Sequence, residues 1–401
     1  MPYPTLFVGI DVSKYKHDIT IINEQKQLLA PPLVIKDERA GYQHLIQRLD
    51  ELVQRHQVQQ VYIGLEATGD YWKNIYYYLK QHRPGFSVTV INPVQTKAHA
   101  KTELRRAKTD AVNARDIALY MAEKQPAASL DRMPIFEIIK DLDQQIYQLK
   151  KQQTMTVNKL RIELTKVAPE IEKQLSHIQG KQLLALLAEF PTAELIANSS
   201  VEQLAAIRYG HHNWALSAPL IAKVKALSQQ SIAYKTGLGA GYAVQSLVRC
   251  IGQFQREIDW LKHQAVELYQ TVASQQSLLA TIPGIARETA IVLEAYIGDV
   301  HRFPTVKQFV AYFGMNPTVC TSGKSKRNSY LQKKGNALVR QKLFMAVLTM
   351  IRQEVDPIHG YYQRLVAAGK PKLVAIGAAM RKLLVIIYYM LSKNEPFKNL
   401  I

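Results

Sequence analysis

Long helices that must pair are the strongest constraint in this sequence. In the second half of the chain, apolar residues recur at alternating spacings of three and four: Val244, Leu247, Ile251, Phe254, Ile258, Leu261, Ala265, Leu268 and Val272. Such a heptad stripe is buried only against another helix. A second amphipathic stretch precedes it, with apolar residues from Ile138 to Val167. The two stretches predict a long coiled-coil stalk, formed within one chain or across a dimer.

The chain before the stalk has a different pattern, in which short apolar runs alternate with amphipathic segments. It predicts strands over residues 6–12, 17–22, 28–35, 61–66 and 86–91, and helices over 40–56 and 71–80. Strands interleaved with helices are typical of an α/β domain with a mixed sheet. We expect this domain to end near Gln125.

Three domains are predicted in total. Residues 1–125 form the α/β domain, residues 126–277 form the stalk with a helical insert at about 178–240, and residues 278–401 form a mainly α-helical domain. The last domain has a predicted helix–turn–helix over 278–296. A polar loop over 318–335 and further helices over 337–354 and 372–391 follow it. A chain of 401 residues is long enough for two or three such cores.

Several protein classes are excluded by composition. Two cysteines cannot support a disulfide framework or a four-cysteine zinc site. No apolar run reaches the roughly 18 residues of a membrane span, and no secretory signal is visible, so we expect a cytoplasmic protein without a membrane partner.

Net charge indicates the partner. Lys and Arg number 51 against 32 Asp and Glu, a formal charge of +19. Between Asp299 and Glu354 there is no acid, while ten bases lie between Arg302 and Arg352. A stretch of this kind favours the binding of a polyanion such as nucleic acid, because each phosphate that it neutralises releases counterions. We therefore expect nucleic acid to bind the last third of the chain.

Acidic residues follow two of the predicted strands. Asp11 and Glu66 end apolar strands, where an unpaired carboxylate would be costly, and Asp110 begins a helix with Asn113 three residues later. Oxygen ligands brought together at strand ends would suit one or two Mg²⁺ ions, which support phosphodiester chemistry. Spacing alone also allows Asp110 to be a simple helix cap.

Two features of the last domain could contact DNA. Gly284 lies in a Pro-Gly turn whose backbone N–H groups could bind phosphate, although the turn could equally serve packing. Ser322 lies in a basic, glycine-containing loop, where a serine could attack phosphorus if its hydroxyl were activated. Most Ser-Gly pairs in such loops are only turns.

Taken in order, these residues resemble a known family. The motifs are Gly9-Ile10-Asp11, Glu66-Ala67-Thr68-Gly69, Asn92-Pro93, Lys108-Thr109-Asp110, Ile282-Pro283-Gly284-Ile285, Phe313-Gly314-Met315-Asn316-Pro317, Thr321-Ser322-Gly323 and Ala379-Met380-Arg381-Lys382-Leu383. The chain resembles the DEDD transposases of insertion-sequence family one-ten and its eleven-eleven subgroup, with the related pilin-gene invertases.

The resemblance implies a RuvC-like, RNase H-type first domain whose four acids bind Mg²⁺, and a nucleophilic serine, here Ser322, in the last domain. It also implies a tetramer, a dimer of dimers, in which different subunits supply the two halves of a site. A structured non-coding RNA would guide the protein to donor and target DNA. Strands would be exchanged through a covalent phosphoserine and a Holliday junction.

One position departs from the family pattern. The fourth acid should stand three residues after Asp110, where this chain has Asn113. Asn offers a single neutral carbonyl oxygen and cannot act as a base. Asn113 could be a tolerated neutral ligand, Asp116 could substitute for it, the protein could be inactive, or the residue could be an engineered change from Asp.

The sequence thus predicts an RNA-guided DNA recombinase, nucleoid-associated when active, that moves its own insertion sequence. The predicted nucleic-acid contacts are Lys324, Lys326, Arg327, Lys333, Lys334, Gly284, Arg381 and Lys382. Alternatives are a metal-only junction resolvase, a DNA invertase without an RNA guide, and an inactive nucleic-acid-binding relative.

Overall fold

The computed structural model describes residues 4–67, 69–102, 110–129, 134–174, 180–272, 277–318, 321–322, 325–326, 330–331 and 335–398. The chain divides into two compact units, Met1–Asp131 and Arg132–Ile401. The predicted end of the first domain lies close to this division. The predicted boundary at 277 falls inside the second unit and stays a prediction.

A five-stranded mixed sheet forms the centre of the first unit. Its strands are β1 (Thr5–Val12), β2 (Lys16–Ile22), β3 (Leu33–Lys36), β4 (Gln60–Glu66) and β5 (Ser87–Ile91), in the order β3-β2-β1-β4-β5. Strands β1, β2 and β3 pair antiparallel, while β4 is parallel to both β1 and β5. The predicted α/β class with a mixed sheet is therefore confirmed.

The third strand begins later than predicted. Residue 28 forms only an isolated bridge with Ile22, and β3 starts at Leu33. Pro31 and Pro32 lie between them, and because proline has no backbone N–H it cannot donate to a sheet ladder.

Four helices belong to this unit: α1 (Arg39–His56), α2 (Trp72–His82), α3 (Pro93–Thr102) and α4 (Asp110–Lys124). Helix α1 buries one apolar stripe, with Tyr42, Leu45, Ile46, Leu49 and Leu52 in the core. Helix α4 packs on β1, β2 and β4, and its buried residues Ile117, Ala118 and Met121 share a cluster with Phe7.

Two 34-residue helices dominate the second unit. They are α5 (Pro134–Val167) and α11 (Gly237–Gln270). Between them lie α6 (Pro169–Gln174), α7 (Lys181–Glu189), α8 (Ala193–Asn198), α9 (Val201–Ala206), the two-residue strands β6 (Arg208–Tyr209) and β7 (Trp214–Ala215), and α10 (Ala218–Gln229). The insert is thus mainly helical, with a small β-hairpin.

Helices α5 and α11 pack against each other in opposite directions. Ile146 clusters with Ile258 and Leu261, while further along α5 the side-chain amide of Gln153 donates to the carbonyl of Ile251 at 3.3 Å. The predicted pairing therefore occurs within one chain. A supercoil and a dimer contact remain predictions.

The rest of the chain is mainly α-helical, as expected. Its elements are α12 (Arg287–Ile297), α13 (Val306–Tyr312), the two-residue strands β8 (Pro317–Thr318), β9 (Thr321–Ser322), β10 (Ser325–Lys326) and β11 (Tyr330–Leu331), then α14 (Ala337–Arg352), α15 (Ile358–Ala367) and α16 (Lys372–Lys393). The first arm of the predicted helix–turn–helix is only a single 3₁₀ turn, Leu278–Thr281.

Helix α16 is, within the described residues, the one helix long and apolar enough to cross a membrane by length and composition. Its residues Ala379, Leu383 and Ile387 are fully buried in the main cluster of the second unit. A core helix of a globular domain has the same properties.

Candidate active site

Two glycines on neighbouring strands allow α4 to lie directly on the sheet. A Cβ atom on Gly9 would be 2.0 Å from the carbonyl oxygen of Ala114 and 2.3 Å from the backbone nitrogen of Ala118. On β4, a Cβ on Gly64 would be 2.6 Å from Cγ of Met121. Only glycine permits so close an approach of helix to strand. The position of α4, and of the side chains it carries, is therefore fixed against β1.

The close packing brings Asn113 to Asp11. The side-chain nitrogen of Asn113 donates a hydrogen bond to Oδ2 of Asp11, at 3.0 Å. On the parallel strand β4, Leu65 pairs with Ile10, so the next residues, Asp11 and Glu66, end neighbouring strands at the same edge. Three of the four predicted metal-site residues are thus brought together by β1, β4 and α4.

A residue missed by the sequence analysis also contacts this site. The hydroxyl of Thr96, a buried residue of α3, donates to Oε2 of Glu66 at 2.8 Å. This bond holds the Glu66 carboxylate in one orientation. The available signal was the Asn92-Pro93 segment, which starts α3 directly after β5 and so places that helix at the same edge of the sheet.

Asp110 is the first residue of α4, and its side chain lies outside the described part of the structure. The α4 side chain that donates to Asp11 comes from position 113, one turn before Asp116. Within the described residues, no three His, Cys, Asp or Glu side chains are grouped closely enough to hold a metal ion.

The side chains at this edge of the sheet nevertheless carry the oxygen ligands that a divalent cation requires. Asp11 and Glu66 supply carboxylate oxygens, which hard cations such as Mg²⁺ prefer. Asn113 now directs its N–H group at Asp11, so it would have to turn its amide to offer the carbonyl oxygen. In this orientation the amide hydrogen bond partly compensates the Asp11 charge, which a cation would otherwise neutralise.

The far end of α4 is held by an ionic cluster. Glu123 accepts from the ammonium of Lys26 at 2.6 Å and contacts the ring of His99 at 2.8 Å. The hydrogen bond from Lys26, followed by that from His99, lowers the pKa of Glu123 to about 2. The cluster joins α4 to the β2–β3 turn and to α3.

We expect Glu123→Gln to lower stability near neutral pH but to have little effect in strong acid. A depressed carboxyl pKa stabilises the folded state above the ordinary value of 4.5, and this contribution is lost as the pH falls from there to about 2. Urea unfolding of both proteins at several pH values in this window measures the difference. A constant difference across the window would contradict the assignment.

The described residues around Ser322 form short strands that the sequence does not predict. They form two short antiparallel ladders, in which Thr318 pairs with Tyr330 and Ser322 with Ser325. These positions are therefore paired strands, which we call the Ser322 hairpin, and the predicted exposure of the loop stays a prediction. Lys326 belongs to β10. The other predicted phosphate contacts of the loop lie outside the described residues: Lys324, Arg327, Lys333 and Lys334.

The base of this hairpin is tightly closed. A Cβ on Gly335 would be 2.3 Å from the backbone carbon of Phe313, so the two ends of the hairpin segment touch. The guanidinium of Arg340 donates to the carbonyl oxygen of Gly335 at 2.6 Å. That of Arg381 donates to Oδ1 of Asn316 at 2.9 Å. Arg381, expected to contact nucleic acid, thus has a structural bond to the loop.

Gly284 and Lys382 both have contacts within the second unit, and their predicted roles in nucleic-acid binding stay predictions. Residues 282–285 form a hydrogen-bonded turn with Gly284 at φ +89°, which is typical of a type II turn. A Cβ on Gly284 would be 3.1 Å from Cγ of Met350 in α14, so the turn packs closely against that helix. The ammonium of Lys382 lies 4.7 Å from the ring centre of Tyr361, and desolvation lowers its pKa.

Two family models match the chain. Residues 8–169 match a DEDD transposase model of IS110, and residues 276–363 match the transposase model of the IS116/IS110/IS902 family. The first match contains Asp11, Glu66, Asp110 and Asn113, and the second contains Gly284 and Ser322.

Individual proteins give the same result. The chain is 24% identical to a pilin gene-inverting protein of Moraxella bovis over 394 residues, which cover 98% of this chain and 97% of that protein. It is 26% identical to the transposase for insertion sequence element IS1111A of Coxiella burnetii over 121 residues, which cover 29% of this chain and 33% of that protein. Among solved structures, Thermus thermophilus RuvC with a Holliday junction matches 31% of this chain and 99% of that one. The sequence identity of this match is 14% and its TM-score is 0.24.

Proposed function

Because the chain belongs to the IS110 family of DEDD transposases, we propose that it exchanges DNA strands with a metal site in its first unit and a serine nucleophile in its second. The observation that carries the proposal is the docking of α4 on Gly9, which brings position 113 to Asp11 at the strand edge that also ends in Glu66. This is the edge at which open α/β sheets bind ligands.

The metal site would consist of Asp11, Glu66, Asp110 and Asn113. Bound Mg²⁺ would supply positive charge at a reacting phosphate. Asp11 and Glu66 would bind through carboxylate oxygens, and Thr96 would keep Glu66 oriented by its hydrogen bond. Asn113 would contribute a neutral oxygen, so we expect weaker metal binding than with four acids.

Ser322 would be the nucleophile in the second unit. Its Oγ would form a bond to phosphorus while the bond from phosphorus to one DNA oxygen breaks, which leaves a DNA hydroxyl and a phosphoserine. The phosphoester so formed would retain the energy needed for rejoining. The closed base of the hairpin supports this role, because a nucleophile must be held in one geometry.

A guide RNA and a tetramer complete the proposal. Both rest on the family resemblance, and we propose that a structured RNA selects donor and target DNA in the cytoplasm of a prokaryotic cell. The test is to purify the protein from its native host without nuclease and to sequence the nucleic acid that accompanies it. One discrete non-coding RNA would support guidance; heterogeneous RNA or none would contradict it.

A second function, DNA inversion without a guide, is favoured by one finding. The similarity to the pilin gene-inverting protein extends over nearly the whole chain, insert and stalk included. Inversion of a segment between two copies of one site, by protein purified free of RNA, would select this function over guided transposition.

We expect Asn113→Asp to make folding depend on divalent metal. Without metal, the change replaces the hydrogen bond to Asp11 by two adjacent negative charges, at a cost of about 2 kcal/mol. With Mg²⁺ the two carboxylates share a cation. The unfolding temperature of the variant should therefore be lower than that of the wild type without Mg²⁺, and should rise more when Mg²⁺ is added.

Asn113→Ala is the matched control, because it removes the same hydrogen bond without adding charge. It should be destabilised without gaining a response to Mg²⁺. Equal Mg²⁺ responses of all three proteins would show that position 113 does not face the metal site.

A further inference from the structure

A cleft in the second unit lies apart from every residue assigned above except Gly284. Helix α5 forms one wall, α14 forms the other, and the Gly284 turn closes it. Its volume is about 530 Å³. Three lysines line it, Lys150 and Lys151 from α5 and Lys342 from α14. We call it the lysine cleft.

Positive charge in the lysine cleft is only partly compensated. Lys342 pairs with Asp143 at 2.6 Å. Lys150 and Lys151 have no ion-pair partner in the described part of the chain. Among the described residues that line the cleft, Asp143 is the only acid, and its side chain is 5% exposed. The accessible charge of the cleft is therefore cationic.

Electrostatic crowding is visible at Lys150. Partial loss of hydration lowers the pKa of its ammonium group, and the nearby charges of Lys262 and Lys342 lower it further, while Asp143 and Asp259 oppose the shift. Lys262 itself contacts Asp259 at 3.3 Å. Cations held this close without an equal number of acids gain free energy when an anion binds between them.

The uncharged lining suits a sugar–phosphate chain. Hydroxyl groups come from Thr154, Thr289 and Thr349, which could donate to phosphate oxygens. Tyr147 and Met345 line the same cleft and are 41% and 57% exposed, and exposed flat or polarisable side chains can contact a sugar or a base.

We propose that the lysine cleft binds the phosphate backbone of a nucleic acid, with Lys150 and Lys151 as the principal contacts. This inference rests on the proposed function, because it takes the ligand to be DNA or the guide RNA. It gives α5 a binding role beside its packing against α11.

The test compares two lysines on one helix. Lys150 and Lys159 are nine residues apart, which places them on opposite faces of α5. Affinity for a mixed-sequence DNA duplex and for a structured RNA is measured at several salt concentrations for Lys150→Gln, the double variant Lys150→Gln/Lys151→Gln, and the control Lys159→Gln.

We expect the double variant to bind about tenfold more weakly than the control near physiological salt. The slope of log affinity against log salt should fall by about one for each lysine lost. Bound nucleic acid should also protect Lys150, more than Lys159, from acetylation by an amine-reactive reagent.

Each remaining outcome decides a different question. Equal affinities of the double variant and Lys159→Gln would overturn the lysine cleft as a binding site. A changed oligomeric state with unchanged affinity would also overturn it, and would identify the cleft as a protein interface. Failure of the wild-type protein to bind any nucleic acid would instead refute the proposed function.

Discussion

Replacing Ser322 by alanine is expected to abolish covalent protein–DNA adducts while DNA binding is retained. Alanine removes only the hydroxyl that would attack phosphorus, and removal of a nucleophile typically costs a factor on the order of 10³ or more in rate. The assay incubates the protein with labelled DNA, Mg²⁺ and the co-purified RNA, and detects label that stays on the protein under denaturing conditions.

The hairpin itself offers the matched control. Ser325 pairs with Ser322 across the ladder. Ser325→Ala therefore removes the same hydroxyl group from the neighbouring strand and leaves Ser322 unchanged. Its adduct should form at close to the wild-type rate. An adduct that survives in Ser322→Ala but disappears in Ser325→Ala would assign the nucleophile to Ser325, and adducts in both variants would place it at another residue. DNA cleavage without any adduct in the wild type would favour a metal-only resolvase.

Gly9→Ala is expected to be the most destabilising single substitution in the first unit. The new Cβ would lie 2.0 Å from the carbonyl oxygen of Ala114, and neither of these backbone segments can move without separating α4 from β1. Overpacking usually costs about 1–3 kcal/mol, and an overlap with backbone atoms belongs at or above the upper end of that range. Urea unfolding measures the loss.

Gly85→Ala is the control, since a Cβ at Gly85 would meet no atom within 4 Å. It should leave the free energy of unfolding nearly unchanged. A partly folded Gly9→Ala protein should also lose the response of the site to Mg²⁺, because the hydrogen bond between Asn113 and Asp11 depends on the position of α4. An unchanged unfolding midpoint for Gly9→Ala would refute the close packing.

The elements of the first unit were predictable because their patterns are local. Alternation and helical spacing identified β1, β4 and α1 close to their observed limits. The apolar run over 28–35 predicts a strand that begins too early, because Pro31 and Pro32 within it cannot donate to a sheet ladder. In the second unit, the pattern over 278–296 predicts the turn at Gly284 but also predicts a full helix before it, where the chain forms only a short 3₁₀ segment.

Sequence patterns predicted that Asp11 and Glu66 end neighbouring strands, but not which side chains support them, and the metal-binding roles stay predictions. Asp11, Glu66, Asp110 and Asn113 were identified from strand ends, helix spacing and family motifs. Thr96 was missed, because its contact with Glu66 joins residues 30 positions apart and no local pattern records it. Lys150 and Lys151 were missed for a related reason. Their cleft is formed by α5 and α14, which are far apart in the sequence, so no local pattern distinguishes these lysines from other charged residues of a stalk helix.

Sequence alone determined the class of the first domain, the pairing of two long helices, the basic last third and the family. These properties follow from local periodicity, composition and short motifs, each of which is complete within a few tens of residues. Only the tertiary structure decided that Asn113 donates to Asp11, that Arg381 holds Asn316, and that lysines of α5 face α14. The reason is physical: such contacts depend on how closely two backbones approach, which glycines such as Gly9 permit but do not by themselves reveal.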